Sequence, residues 1–96
     1  MNYCVYILFS EKLNKFYIGQ TENMQQRIEK HNTPDPDRND FTQKGIPWSL
    51  FLKIEGDNRL HIQKMERYIK KMKSKKYILK LQKHPDAVEE LKEKCR

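Results

Sequence analysis

The seven residues Tyr3–Phe9 (Tyr-Cys-Val-Tyr-Ile-Leu-Phe) are almost wholly apolar, aromatic or β-branched, and such a run reads as a β-strand. Ser10–Lys15 is polar and contains Asn14, which suits a turn, and Phe16-Tyr17-Ile18-Gly19 resumes the strand character. The chain therefore opens on a β-hairpin. Pairing Phe9 with Asn14 across a four-residue loop sets Tyr6 opposite Tyr17 and brings both hydroxyls to one face.

Asn23 can cap a helix, with Gln26 in the capping-box position, and the helix runs from about Met24 to His31. Met24, Arg27, Ile28 and His31 share one face. Asn32–Gly45, with Pro34, Pro36 and several Asp and Asn, reads as a loop, long for so small a chain. Pro47–Ile54 alternates and predicts a third strand with Trp48, Leu50, Leu52 and Ile54 on one face. Gly56-Asp57-Asn58 is a turn into a helix from about Arg59 to Met72, striped by Ile62, Met65, Ile69 and Met72. Tyr77, Ile78 and Leu81 mark a short helix, and Pro85 fits the first turn of a last one bearing Val88 and Leu91. The order β-β-α-β-α-α plus a C-terminal helix implies an α+β fold, a three-stranded antiparallel sheet flanked by helices. At 96 residues the chain holds one core, with 1–83 the main unit and 84–96 an amphipathic helix on or beyond it.

Charge narrows the function. The net charge is +7, and Asn58–Lys83 holds ten Lys or Arg against the single acid Glu66. Such a field attracts polyanions, nucleic acid first, although a solvated helix face explains the same residues. Lys70, Lys71, Lys73, Lys75 and Lys76 are the candidate nucleic-acid contacts. No apolar run is long enough to span a bilayer, so a membrane role is not expected. No signal peptide is visible, and two cysteines, Cys4 and Cys95, make neither a disulfide framework nor a zinc set. A cytoplasmic protein with reduced thiols is expected. His61 and His84 read as surface residues matching no metal-ligand spacing.

Arg27 and Glu66 stand where helical patterning wants apolar residues, and a half-buried charge is costly unless paired or used. Either the two form one ion pair, or they serve a site in which a carboxylate binds a divalent cation and a guanidinium binds phosphate.

At these residues the chain resembles a family. Cys4-Val5-Tyr6-Ile7-Leu8, Phe16-Tyr17-Ile18-Gly19-Gln20-Thr21, and Asn23 through Arg27 with His31-Asn32 are similar to the signature of the GIY-YIG nucleases, including an arginine ten residues after the second tyrosine. Phe41-Thr42 through Lys44-Gly45, Pro47-Trp48 and Leu50 resembles the link to the third strand in small free-standing members. Met65-Glu66 with Ile69-Lys70-Lys71 resembles the helix bearing the family's metal-binding glutamate. Gln20 stands where some repair nucleases carry lysine.

The resemblance implies a metal-dependent endonuclease that hydrolyses phosphodiester bonds in DNA, as in the catalytic domains of excision-repair and homing endonucleases. It implies low sequence specificity or a preference for a DNA structure, with RNA left open. It makes Tyr6, Tyr17, Arg27, His31 and Glu66 the catalytic set. Glu66 would hold one Mg²⁺ or Mn²⁺, Arg27 would neutralise phosphate oxygens, and Tyr6 would act as general base. Tyr17 would position water or phosphate, and His31 would contact a phosphate or shuttle a proton. A module with this fold that binds nucleic acid without cutting is the alternative. Oligomeric state and any targeting partner stay open.

Overall fold

The computed structural model describes residues 3–35, 37 and 41–96. Pro36, counted in the expected loop, lies outside them. The elements are β1 (Cys4–Ser10), β2 (Lys15–Thr21), α1 (Met24–Asn32), α2 (Phe41–Lys44), β3 (Trp48–Glu55), α3 (Arg59–Met72), α4 (Lys75–Lys83) and α5 (Pro85–Lys94). The seven expected elements are present, and the stretch read wholly as loop contains one further helical turn, α2.

Side chains start the helices where the sequence places caps. Asn23 accepts from the Gln26 N–H at 3.1 Å, Asn58 from the His61 N–H at 2.9 Å, and Ser74 from the Tyr77 N–H at 3.1 Å. Pro85 opens α5, where its missing N–H costs nothing. Helix α3 stops on Lys73, which takes a left-handed conformation at φ 47°.

The sheet is antiparallel in the order β2-β1-β3. Its central strand, β1, is covered on both faces. On one face Val5 and Ile7 meet Ile62, Met65 and Ile69 of α3, Ile78 and Leu81 of α4, and Ala87, Leu91 and Cys95 of the C-terminal segment. Leu91 therefore faces this chain's own core and is not available to a partner. On the other face Tyr6 and Leu8 meet Trp48, with Met24 and Ile28 of α1 closing over them.

Three expectations need correction. In the hairpin, Phe9 pairs with Phe16 and Ser10 with Lys15, so Tyr6 lies opposite Gly19 and Tyr17 opposite Leu8. The register differs by two residues from the expected one. Because strand side chains alternate with a period of two, that shift leaves Tyr6 and Tyr17 on a common face. In β3 the partner of Ile7 is Leu52 while that of Leu8 is Leu50, so Phe51 is an extra residue in a bulge. The bulge splits the alternation. Trp48 stays with the Tyr6 face, Leu52 and Ile54 pass to the α3 face, and Leu50 is 42% exposed. Met72, expected in the α3 stripe, is likewise 43% exposed at the helix end.

Candidate active site

The site forms where β1, β2 and α1 meet. Tyr6 is 1% exposed, and its Oη lies 3.1 Å from His31 Nε2 at the end of α1. The direction of this hydrogen bond follows the imidazole tautomer. Tyr17 stacks beside Tyr6 with ring centroids 6.2 Å apart, and meets the edges of His31 at 4.7 Å and Trp48 at 6.2 Å. Four rings thus fix one another around a single hydroxyl.

Gly19 makes room for that hydroxyl. A Cβ at this position would lie 2.5 Å from Tyr6 Oη and 2.7 Å from its Cζ. The close approach of the phenol to the neighbouring strand requires a residue with no side chain. Alternating strand residues alone do not reveal this, since it depends on the register.

Burial is the main cause that pushes the Tyr6 phenol above its ordinary value of about 10. Tyr17 reinforces the rise, Arg27 opposes it, and Glu66 adds to it. Both charged residues are therefore close enough for Tyr6 to feel them. Arg27 is half-buried on α1, and no described carboxylate forms an ion pair with it. The alternative in which Arg27 and Glu66 pair with each other is not what the structure holds. Glu66, with its side chain 16% exposed, instead accepts from Lys70 Nζ at 2.7 Å, one helical turn on.

The lysines expected to meet nucleic acid are divided. Lys70 is bound to Glu66, and Lys75 donates to the Asn14 carbonyl at 2.7 Å. With Lys73 they line a groove of about 290 Å³ beside Phe16 and Ile18. Lys71 and Lys76 are exposed on their helices.

The sequence reading missed other anchors. Asn32 grips the backbone of Trp48, its Nδ2 donating to the carbonyl at 2.9 Å and its Oδ1 accepting from the N–H at 2.6 Å. It serves as a short surrogate strand for β3 and fixes the end of α1 beside the tyrosines. His61, read as a surface residue, is 3% exposed. Its Nδ1 accepts from the Asp57 N–H at 3.0 Å and its Nε2 donates to the Lys92 carbonyl at 2.9 Å. It joins the β3–α3 turn to α5 and belongs to the scaffold. His84 is exposed, as expected.

A hard divalent ion suits such a site when one carboxylate supplies a ligand and water and substrate oxygens supply the rest. Glu66 offers that carboxylate from the middle of α3, close enough for its charge to act on the Tyr6 phenol. No cluster of three or more His, Cys, Asp or Glu exists among the described residues, so a closed protein cage for a metal is not formed there.

Residues 2–78 match the GIY-YIG catalytic domain family, and the chain belongs to that family. Membership supports a nuclease-type, phosphodiester-hydrolysing function and a nucleic-acid substrate, and nucleases of this family generally use divalent metal ions. Neither a search of curated proteins nor one of solved structures returns a match. No helix among the described residues is long and apolar enough to cross a membrane.

Proposed function

We propose that the protein is a metal-dependent endonuclease that cuts DNA with low sequence specificity or a preference for a DNA structure, using Tyr6, Tyr17, Arg27, His31 and Glu66. The observation that carries this reading is the buried Tyr6–His31 hydrogen bond beside an arginine with no carboxylate partner among the described residues. A hydroxyl used only for packing needs no such setting.

Hydrolysis requires a proton to leave the attacking water as the phosphorus–oxygen bond forms. Burial disfavours a free phenolate at Tyr6, so a resting phenolate is not the base. The geometry supports a relay. Tyr6 Oη accepts the water's proton while its own passes to Nε2 of His31, leaving an imidazolium and no isolated phenolate. Arg27 faces the charge that builds on the non-bridging oxygens. Tyr17, whose hydroxyl has no protein partner among the described residues, orients the water or the phosphate. Glu66 would hold one Mg²⁺ or Mn²⁺, and when bound the ion supplies positive charge to the phosphate and the departing oxygen.

Low specificity fits the contacts available, since guanidinium and ammonium groups hold phosphates and carry no base information. Lys70, Lys71, Lys73, Lys75 and Lys76 supply a second basic surface along α3 and α4. Residues 1–83 form the catalytic unit, with the helix in 84–96 packed on it. Two free, buried cysteines fit a reducing, cytoplasmic setting.

The test is incubation with supercoiled, branched and single-stranded DNA, and with RNA, each with and without Mn²⁺. Mn²⁺-dependent cutting of DNA that is lost in Tyr6→Phe supports the proposal. Tight binding of every substrate with no cutting of any overturns it in favour of a non-cleaving module.

A further inference from the structure

Beside the tyrosine site, between the start of β1 and helix α1, lies an open cleft of about 750 Å³. Its wall carries Tyr3, Gln26, Arg27, Lys30 and Arg59, with Glu22 the one acid among them. No described carboxylate pairs with Arg27, Lys30 or Arg59, so three cations stand against one anion in a concave surface that focuses their field. The cations come from two elements, α1 and the first turn of α3, and the basic run of α3 and α4 contributes only Arg59 to the cleft.

Arg27 belongs to both places. It lines the cleft, and its charge acts on the Tyr6 phenol. Lys30 follows three residues later on the same helix, where side chains are neighbours about 5–6 Å apart at Cβ. That spacing lets Arg27 and Lys30 each meet one of two successive phosphates on a strand. Across from them the Arg59 guanidinium stands 6.0 Å from the centroid of the half-buried Tyr3 ring. This is the outer limit of a cation–π contact, so exchanging it for a phosphate costs little. The cleft thus offers one aromatic ring and, beside Arg27, two further cations with no carboxylate partner among the described residues.

We infer that the cleft is the subsite for the nucleotide adjoining the scissile phosphate, taking its phosphate on Lys30 and Arg59 and its unpaired base against Tyr3. The inference rests on the nuclease reading above and adds the class of strand the site receives. A base buried in a duplex has no free face for Tyr3, so a single strand is the ligand of this cleft.

The test uses the full chain and a short fluorescein-labelled oligothymidine, read by anisotropy in EDTA so that nothing is cut, with a matching duplex as control. Tyr3→Leu keeps apolar bulk and removes the ring, and is expected to weaken single-strand binding about tenfold, with Tyr3→Phe restoring it. Lys30→Ala with Arg59→Ala is expected to flatten the slope of log affinity against log salt by about 1.4, two phosphate contacts on a single strand. Both side chains of that pair are exposed, so melts of the double variant stay near wild type. In cleavage assays the same variants raise KM more than they lower kcat. Single-strand affinity and salt slope unchanged in all variants overturn the inference, as does equal weakening of duplex binding by Tyr3→Leu. Wild-type protein that cuts no substrate, while Tyr3 and Arg59 still govern single-strand binding, overturns the nuclease reading and supports the cleft as a strand-binding site.

Discussion

Gly19→Ala sets two opposed effects against each other, and their magnitudes decide the sign. No described glycine has a positive φ, so the Gly19 backbone is open to any residue. On that ground alone alanine stabilises, by about 0.4–1 kcal/mol, through a less free unfolded chain. Against it stands the added Cβ, 2.5 Å from Oη, 2.7 Å from Cζ and 3.0 Å from Cε1 of a ring that is 1% exposed. A rigid, enclosed phenol has no slack, and overpacking of this kind costs about 1–3 kcal/mol. Driving Oη off His31 Nε2 adds about 0.5–1.5 kcal/mol for the lost hydrogen bond. Destabilisation wins. A net loss of about 2 kcal/mol lowers the melting temperature of so small a domain by roughly 8–16 °C. Cleavage should fall by about 100-fold, because the hydroxyl is displaced by the order of an ångström. In a Tyr6→Phe background the nearest contact is gone, so the same glycine substitution should cost less, with a coupling of about 1 kcal/mol. Thermal melts of the four proteins in this cycle, beside a plasmid-nicking assay, measure every quantity. An alanine variant that melts at or above wild type and cuts at the wild-type rate would refute the close packing of Tyr6 on β2.

Other outcomes follow from the same geometry. Tyr6→Phe keeps the ring and loses the relay, so cleavage should slow by at least about 100-fold while the melt shifts by no more than one hydrogen bond, about 0.5–1.5 kcal/mol; a rate within a few-fold of wild type removes Tyr6 from the chemistry. Glu66→Gln should fold, retain an acceptor for Lys70, and lose cleavage at every Mn²⁺ concentration; an active but destabilised variant assigns Glu66 to the scaffold instead. Burial raises the Tyr6 phenol and pushes Tyr77 up to about 12, so both bind their protons more tightly folded than unfolded. Their contribution to stability is then complete below about pH 10 and drains away as pH climbs through the raised values. Urea melts should weaken over that alkaline range, with tyrosinate absorbance showing late-titrating phenols; all five tyrosines ionising together near pH 10 would contradict the burial.

Helix caps and strand composition were readable because they are local. Asn23 and Pro85 act within one turn of themselves. The face shared by Tyr6 and Tyr17 was also readable, since the two-residue change of register preserves it. What stayed hidden depends on distant contacts. The run Trp48, Leu50, Leu52, Ile54 alternates without fault, and nothing within it signals that Phe51 is bulged out. His61 has backbone partners at Asp57 and at Lys92, the latter 31 residues away, and sequence spacing cannot show either. Glu66 was correctly placed among apolar neighbours, but its partner is the next-turn Lys70 and not Arg27. The Tyr6–His31 bond joins two residues whose separate presence was plain, while their meeting depends on how α1 crosses the sheet.

The way α1 is fastened sets how the site opens. Of its residues only His31 is buried, and Asn32 ties the same end to Trp48. Tyr6, by contrast, sits on the strand enclosed from both sides. The site is thus expected to join a slowly exchanging half to a more readily exchanging one at the last turn of α1. Amide exchange should show β1 protected to the limit of global unfolding and α1 releasing its deuterons earlier, as a unit. Because Arg27 and His31 lie on that one helix, opening of α1 would move both together, and on the proposed function the lifetime of the docked helix would bound how long a strand is held.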